Sequence, residues 1–227
     1  MDGDVDVTVL SAEASVDSRP ANGPEANRTV DPRLEIGRKF THMLPGLIPF
    51  IMWWIYHEDP MPLWNLGVVA AVVAVLTLYV VAHPQGRRRG REENWPRTCL
   101  TYGIPPFIVL ALFPGQAEYA GVVLCVLAFG DSAAALGGRL FGKRPLPWNP
   151  RKTWMGSLCF MLLAAPIAIL AYWGEARPAV SWSAAVICGT AGAVLGGVAE
   201  SLPSRIDDNL RVSVAAAVGV VVAANLV

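Results

Sequence analysis

The chain has little charge and few cysteines for its length. Asp, Glu, Lys and Arg make up 16% of the 227 residues, whereas 54% are hydrophobic. The four cysteines stand singly in or beside apolar runs, without a CxxC spacing. This pattern argues against a zinc site or a disulfide framework and favours small buried side chains. Because so apolar a composition is unusual for a soluble protein of this size, we expect a membrane protein.

The amino-terminal segment lacks both the basic start and the apolar stretch of a signal peptide. It is acidic, small and proline-containing, as in MDGDVDVTVLSAEASVDSRP. Such a composition is typical of disordered segments. We predict a disordered acidic tail over residues 1–33 and a transmembrane domain over residues 34–227.

Apolar runs follow the tail, and a helix needs about 20 apolar residues to span a bilayer. Two runs are short and contain prolines: Pro45 and Pro49 in the first, Pro105 and Pro106 in the third. Breaks of this kind are tolerated at membrane depth only where protein or a cavity covers the freed backbone groups. We expect an all-α, polytopic integral membrane protein with about seven transmembrane helices, or six spans and one re-entrant piece. The runs cover residues 43–56, 63–82, 99–113, 119–136, 155–173, 180–199 and 212–227.

Basic residues are distributed unevenly between the loops. Every lysine and arginine except Arg177 falls before the first run or in an even-numbered loop. Positive residues favour the cytoplasmic side of a membrane. We expect a cytoplasmic amino terminus, cytoplasmic even-numbered loops and, with seven spans, a carboxyl terminus on the opposite side.

Asp131 follows a mostly apolar stretch, residues 119–130. A charged side chain deep in a span costs about 2.5–3.5 kcal/mol on insertion scales. Asp131 either pairs with Arg139 or Lys143 near the end of the span or has a functional role, which is the default for an intramembrane acid. Small residues also recur every four positions here, which fits close helix packing or contact with a ligand. They are Gly130, Ala134, Gly138 and Gly142.

Residues 137–144, GGRLFGKR, nearly match a phosphate-binding loop. The match fails at Arg144, where the loop needs a magnesium-binding hydroxyl, and because an apolar span rather than a strand precedes it. We exclude a soluble-type nucleotide fold. The glycines and Lys143 stay candidates for contact with phosphate.

The stretch NPRKTWMGS precedes the fifth run and brings basic and hydroxyl side chains to an expected helix start. Free amides and the positive end of the helix dipole favour an anion there. The alternative is an ordinary basic patch at the membrane surface, with Asn149 or Thr153 as the helix cap. The polar residues are Arg151, Lys152, Thr153 and Ser157.

The stretch ESLPSRIDDN precedes the last run and offers hard oxygen ligands in Asp207, Asp208 and Asn209. Magnesium typically uses one or two carboxylates together with substrate phosphates and water. One aspartate could simply cap the last helix, but capping leaves the second acid and Glu200 unexplained. Acids for a cation and bases for phosphates, together at a bilayer surface, suit phosphoryl transfer to a lipid.

The combination of RKFTH, GDSAAALGGRLFGK, RKTWMGS and ESLPSRIDDNL resembles the membrane CTP-dependent lipid kinases. These are the phytol and farnesol kinases, dolichol kinase and the CTP-dependent diacylglycerol kinase, which belong with the phosphatidate cytidylyltransferases. The motifs lie in family order between about Glu35 and Val214. The resemblance implies a catalytic transmembrane domain that transfers the γ-phosphate of CTP, with Mg²⁺ or another divalent cation, to a lipid alcohol from the bilayer. It implies no nucleic-acid partner and leaves the oligomeric state open.

The resemblance also implies roles for particular residues. Asp131, Asp207 and Asp208 would hold the metal or activate the lipid hydroxyl, and Lys152 would act in catalysis and bind phosphate. The choice of CTP rests on the resemblance alone. The other candidates for nucleotide or phosphate binding are Arg139, Gly138, Gly142, Lys143, Thr153, Gly156 and Ser157. Further motif residues are Arg38, Lys39, His42, Glu200 and Asn209.

Two other functions stay open at this point. Phosphatidate cytidylyltransferases share NPRKTWMG, but their lysine-aspartate pair and D-R-x-D-S ending are missing here, so we rank the kinase first. In an ion-coupled transporter, Asp131 would be an ion or proton site. Such a protein would carry acids through the membrane and features on both faces, whereas here acids and bases crowd one face and no inverted repeat is visible.

Overall fold

The computed structural model describes residues 37, 39–40, 42–54, 60–82 and 95–227. This part of the chain is mostly helical, as the all-α expectation requires. The tail predicted for residues 1–33 lies outside it. Among the described residues, three helical stretches are long and apolar enough to cross a membrane: Ala117–Phe141, Trp154–Glu175 and Trp182–Ser201. The apolar segments Leu63–Val75 and Leu100–Leu112 are shorter, so the count of seven spans is not confirmed.

The chain begins with short elements and continues into longer helices. A 3₁₀ turn at Leu44–Leu47 leads into α1, and a π-helical turn at Val126–Gly130 joins α4 to α5 in one continuous span. The helices are α1 Ile48–Met52, α2 Leu63–Ala82, α3 Trp95–Leu112, α4 Ala117–Cys125, α5 Asp131–Phe141, α6 Trp154–Glu175, α7 Trp182–Ser201 and α8 Asp208–Ala224. The strands are β1 Pro145–Leu146 and β2 Asn149–Thr153.

Prolines account for the irregular start. Pro45 and Pro49 each stand at the beginning of a short element, where the missing N–H group is harmless. The first apolar run therefore forms a 3₁₀ turn and the five-residue α1 rather than a long helix. The third run differs from expectation, because α3 continues through Pro105 and Pro106.

Helices α6, α7 and α8 pack in sequence order, with α7 against both neighbours. Close approach requires glycine at the contacts: a Cβ on Gly219 would lie 2.6 Å from the carbonyl oxygen of Ala191, and one on Gly196 would lie 2.7 Å from Cγ1 of Val126. Small residues of this kind let membrane helices approach closely. The end of α7 lies beside the start of α8, where the Arg211 side chain donates a hydrogen bond to the carbonyl oxygen of Leu202.

A short antiparallel hairpin of β1 and β2 joins α5 to α6. The sequence predicts a helix start at NPRKTWMGS, and the helix indeed begins there, but only at Trp154. Residues 149–153 are extended, which agrees with the restriction that Pro150 places on the residue before it. Thr153 is the helix cap, since its Oγ1 accepts a hydrogen bond from the Gly156 N–H at 3.1 Å.

Candidate active site

Asp131 begins α5 directly after the π-helical turn, within the span Ala117–Phe141. Its Oδ2 accepts a hydrogen bond from Nζ of Lys39 at 2.6 Å, and Nε2 of His42 lies 3.6 Å from the same oxygen. The partner is therefore Lys39 and not Arg139 or Lys143, the partners that the sequence offers nearby. The first and second motifs meet at this point, although 92 residues separate Lys39 from Asp131.

Hydrogen bonds to backbone carbonyls also attach the amino-terminal segment to the bundle. The Tyr102 hydroxyl donates to the carbonyl oxygen of His42 at 2.8 Å, and the two rings pack edge to face with centroids 4.4 Å apart. Ser132 donates to the carbonyl oxygen of Lys39 at 3.3 Å. The Lys39 side chain is only 7% exposed, so its charge needs the Asp131 carboxylate to offset the cost of burial.

A second cluster joins β2 to the facing ends of α7 and α8. Nζ of Lys152 donates to Oε1 of Glu200 and to Oδ2 of Asp208, the latter at 2.9 Å. Nη2 of Arg211 donates to the other oxygen of Asp208 at 2.8 Å, and Nη1 donates to the carbonyl oxygen of Leu202 at 2.9 Å. The third and fourth motifs meet here, and Lys152 and Glu200 are 48 positions apart in the chain.

The position of Lys152 keeps its side chain protonated. Burial acts to lower the pKa of the ammonium group, but the Glu200 carboxylate and the hydrogen bonds to Glu200 and Asp208 outweigh burial and hold the pKa above its ordinary value. Lys152 is therefore a positive charge at neutral pH. A lysine ammonium of this kind is a common phosphate ligand in proteins.

The two clusters share one electrostatic environment. Asp131 interacts electrostatically with Lys152 as well as with Lys39, and Glu200 interacts electrostatically with Asp131. Charges that are partly buried are screened by salt much less than charges on an open surface. The four motifs are therefore joined into one set of interacting acids and bases.

The hairpin is anchored on the end of α7 by residues that the sequence does not single out. Nε1 of Trp148 and Nδ2 of Asn149 both donate to the carbonyl oxygen of Ser201, at 3.2 and 3.1 Å. Arg211 is also a member of the site that sequence reasoning misses. The sequence does contain a signal for Arg211, because it stands three residues after Asp208 and side chains at this spacing are neighbours on a helix.

Three motif glycines surround the cap residue Thr153. A Cβ would lie 3.1 Å from Thr153 Oγ1 if it were added to Gly138 or Gly156, and 2.6 Å if it were added to Gly142. The glycines therefore make room for the cap between α5 and α6. Contact of Gly138, Gly142, Gly156 and Thr153 with a nucleotide stays a prediction.

Other predicted site residues are placed singly. Oδ1 of Asp207 accepts a hydrogen bond from the Asn209 N–H at 3.0 Å, so Asp207 caps α8. Its role as a metal ligand stays a prediction.

The remaining predicted site residues that the structure describes do not belong to either cluster. Arg38 lies outside the described residues. Asn209 is buried, Ser157 is half-buried near the start of α6, Arg139 is exposed in the last turn of α5, and Lys143 lines a surface pocket with Phe141, Arg144, Trp154 and Met155.

The carboxylates beside Lys152 fit a divalent cation that shares its ligands with phosphate. Among the described residues, no three His, Cys, Asp or Glu side chains form a ready-made metal site. Oε2 of Glu200, however, is buried and has no hydrogen-bond partner in this part of the chain, and the Asp208 side chain is 46% exposed. One or two carboxylates completed by phosphates and water are typical of Mg²⁺. Glu200 and Asp208 are thus the residues that would hold the cation.

Fold and site together define a helical protein that, among its described residues, has three segments long and apolar enough to span a membrane and a joined cluster of acids and bases. The family model described as the cytidylyltransferase family matches residues 33–205, and the chain belongs to this family. The family expected from the four motifs is confirmed. No solved structure gives a significant match to the chain.

Curated relatives of the chain carry kinase names. The chain is 25% identical over 193 residues to phytol kinase 1, chloroplastic, of Arabidopsis thaliana, covering 79% of this chain and 64% of the relative. It is 27% identical over 201 residues to farnesol kinase, chloroplastic, of the same plant, covering 79% and 62%. It is 29% identical over 142 residues to phytol kinase of Synechocystis sp., covering 60% and 58%. The chain thus spans less than two thirds of the length of these relatives.

Proposed function

We propose that the chain is a CTP-dependent kinase that transfers the γ-phosphate of CTP to the hydroxyl of an isoprenoid lipid alcohol of the phytol, farnesol or dolichol type. The observation that carries the proposal is the meeting of four separate motifs in the pairs Lys39–Asp131 and Lys152–Glu200–Asp208. The relatives named phytol kinase and farnesol kinase support it.

In this proposal Lys152 binds the phosphates of the nucleotide, with the free amides at the start of α6 as further donors. A divalent cation held by Glu200 and Asp208 would neutralise the charge of the phosphate oxygens. Arg211 keeps Asp208 oriented, because it occupies the carboxylate oxygen that Lys152 leaves free. Arg139 and Ser157 stay candidates for further contacts with the nucleotide.

Asp131 receives the lipid hydroxyl. It lies about 15 Å along the helix axis from Phe141, at about 1.5 Å per residue, and so within the span, where an alcohol with an apolar tail would reach it. Asp131 accepts the hydroxyl proton as the oxygen attacks the γ-phosphorus, and the bond from that phosphorus to the bridging oxygen breaks to release CDP. Lys39 and His42 hold the carboxylate in place for this step.

The proposed enzyme is oriented with its amino terminus and site in the cytoplasm. Its basic loops support this orientation, because positive residues favour the cytoplasmic side. Seven spans, with the carboxyl terminus on the other side, remain our proposal for the whole membrane domain.

A phosphatidate cytidylyltransferase is the second candidate, because the matching family model describes cytidylyltransferases. Both reactions would use CTP, a divalent cation and a membrane lipid. They differ in the phosphorus that is attacked, which is the γ-phosphorus in the kinase and the α-phosphorus in the cytidylyltransferase.

An assay of the purified protein with Mg²⁺ and CTP, labelled separately at the γ- and α-phosphates, distinguishes the two reactions. The acceptors are geranylgeraniol, phytol, farnesol, a dolichol, diacylglycerol and phosphatidate. Transfer of γ-label to an isoprenoid alcohol is the expected result. Transfer of α-label to phosphatidate alone would establish the second candidate, and transfer to none of them would remove both.

A further inference from the structure

A pocket of about 400 Å³ lies where α5 ends and α6 begins. It is lined by Phe141, Lys143, Arg144, Trp154 and Met155. None of these residues belongs to the ion pairs of Asp131 or Lys152. The pocket is thus built from side chains other than those that we assign to the transferred phosphate.

The charge of the pocket selects an anion. Lys143 and Arg144 are consecutive and exposed, and the described lining contains no acidic side chain. Two adjacent cations without a local carboxylate attract a phosphate or another anionic group.

The apolar side chains beside the pocket favour an anion that carries an apolar chain. Trp154, Leu158 and Leu162 recur every four residues on α6 and are 50, 47 and 66% exposed. Trp154–Glu175 is long and apolar enough to be a span, so this row of exposed apolar side chains suits contact with lipid, and Trp154 joins the row to the pocket. Tryptophan is common at the membrane interface, where its ring contacts both the acyl chains and the headgroups.

We propose that this pocket binds the phosphate headgroup of an anionic membrane phospholipid, with one acyl chain along Trp154, Leu158 and Leu162. A soluble nucleotide needs no lipid-facing row, whereas an anionic phospholipid uses both the row and the two cations. This assigns Lys143 to a lipid headgroup rather than to CTP. The proposal goes beyond the kinase activity and stands whichever reaction the family site performs.

The test is native mass spectrometry of the full chain in detergent, titrated with phosphatidylglycerol and with phosphatidylcholine of the same acyl chains. We expect tighter binding of phosphatidylglycerol. The variant Lys143→Gln/Arg144→Gln should lose this preference by roughly 25-fold, since each cation near a membrane surface contributes roughly a fivefold gain. Arg205→Gln, which removes another exposed cation outside the pocket, is the matched control and should keep the preference.

Further variants and competing ligands test whether the pocket binds a different molecule. The charge-retaining variant Lys143→Arg/Arg144→Lys should bind phosphatidylglycerol as the native protein does, and Leu158→Asn should weaken binding of both lipids. Equal affinity for the two phospholipids, or an unchanged preference in the double glutamine variant, would overturn the proposal. Displacement of phosphatidylglycerol by soluble CTP would also overturn the proposal, because it would assign the pocket to the nucleotide. Binding of a lipid monophosphate more than tenfold tighter than phosphatidylglycerol would assign the pocket to the product and would overturn the proposal as well.

Discussion

At the scale of the residue, Lys152 is the clearest link between structure and measurable chemistry. Its ammonium group pairs with both Glu200 and Asp208. The sequence predicts Lys152 as a phosphate ligand and Glu200 and Asp208 as motif residues, but it does not predict that they bond to one another. That knowledge requires the position of the hairpin on the end of α7, which brings Lys152 to two residues far from it in the chain.

The raised pKa of Lys152 predicts a pH dependence of stability. Because the folded protein binds this proton more tightly than the unfolded chain, the ion pairs stabilise the fold fully below the unfolded pKa, and their contribution is lost as the pH rises through the folded pKa. We expect native protein to melt at a higher temperature than Lys152→Met throughout pH 7 to 9, with a margin that does not narrow in this range. The margin should shrink above about pH 10.5.

Melting curves of both proteins in detergent across this pH range measure the margin. Lys143→Met, which removes an exposed lysine of the same segment, is the control and should melt like the native protein throughout. A margin that already narrows between pH 7 and 9 would contradict the assigned ion pairs.

Asp207 allows a test of the capping role seen at the start of α8. Asp207→Ala removes the acceptor for the Asn209 N–H and should lower the stability by about 1 kcal/mol. Asp207→Asn and Asp207→Ser keep an acceptor and should melt within a degree or two of the native protein. If Asp207→Ala melts at the same temperature as the other two variants and the native protein, the cap does not contribute to stability.

At the scale of the element, the contact between α5 and α6 depends on glycine. The sequence predicts the row of small residues but leaves open whether it packs or contacts ligand. The structure gives Gly138 and Gly142 a packing role around Thr153. Neither the π-helical turn before Asp131 nor the two-stranded hairpin is visible in the sequence, since both depend on how neighbouring helices meet. Turns of the π type are frequent at functional sites.

Gly137→Ala tests this contact. The added Cβ would lie 2.6 Å from Cβ of Cys159 on α6, so the helices must separate, and we expect a loss of about 1–3 kcal/mol in stability. Gly67→Ala in α2 is the matched control, because no atom lies within 4 Å of its added Cβ. Alanine also favours a helix over glycine, so this variant should melt at or above the native temperature. Equal melting of both variants would contradict the close packing of α5 and α6.

At the scale of the whole molecule, composition predicts long apolar helices, and the described residues contain three that could span a membrane. The number of spans is harder to predict. Hydropathy identifies apolar runs, but Pro45 and Pro49 turn the first run into short elements. Family order of the motifs predicts which residues belong to one site. It does not predict that Lys39 is the partner of Asp131, because charge pairing between distant segments is decided by the fold.

The orientation predicted from the basic loops can be measured with single cysteines. In a background without the four native cysteines, Ser204→Cys should react with an impermeant thiol reagent from the cytoplasmic side, and Gln116→Cys from the opposite side. Both positions are exposed, so the reagent can reach them. Reaction of the two cysteines from the same side would rule out the proposed topology.

The most direct test of the central claim is transfer of γ-labelled phosphate from CTP to geranylgeraniol by the native protein, Asp131→Asn and Asp208→Asn. The two variants alter different clusters, and melting curves confirm that each is folded. We predict transfer by the native protein and by Arg205→Gln, and a loss of about 100-fold or more in both aspartate variants, the usual scale for removing a group that stabilises the transition state. No transfer by the native protein to any lipid alcohol, or near-native rates in folded Asp131→Asn and Asp208→Asn, would contradict the account.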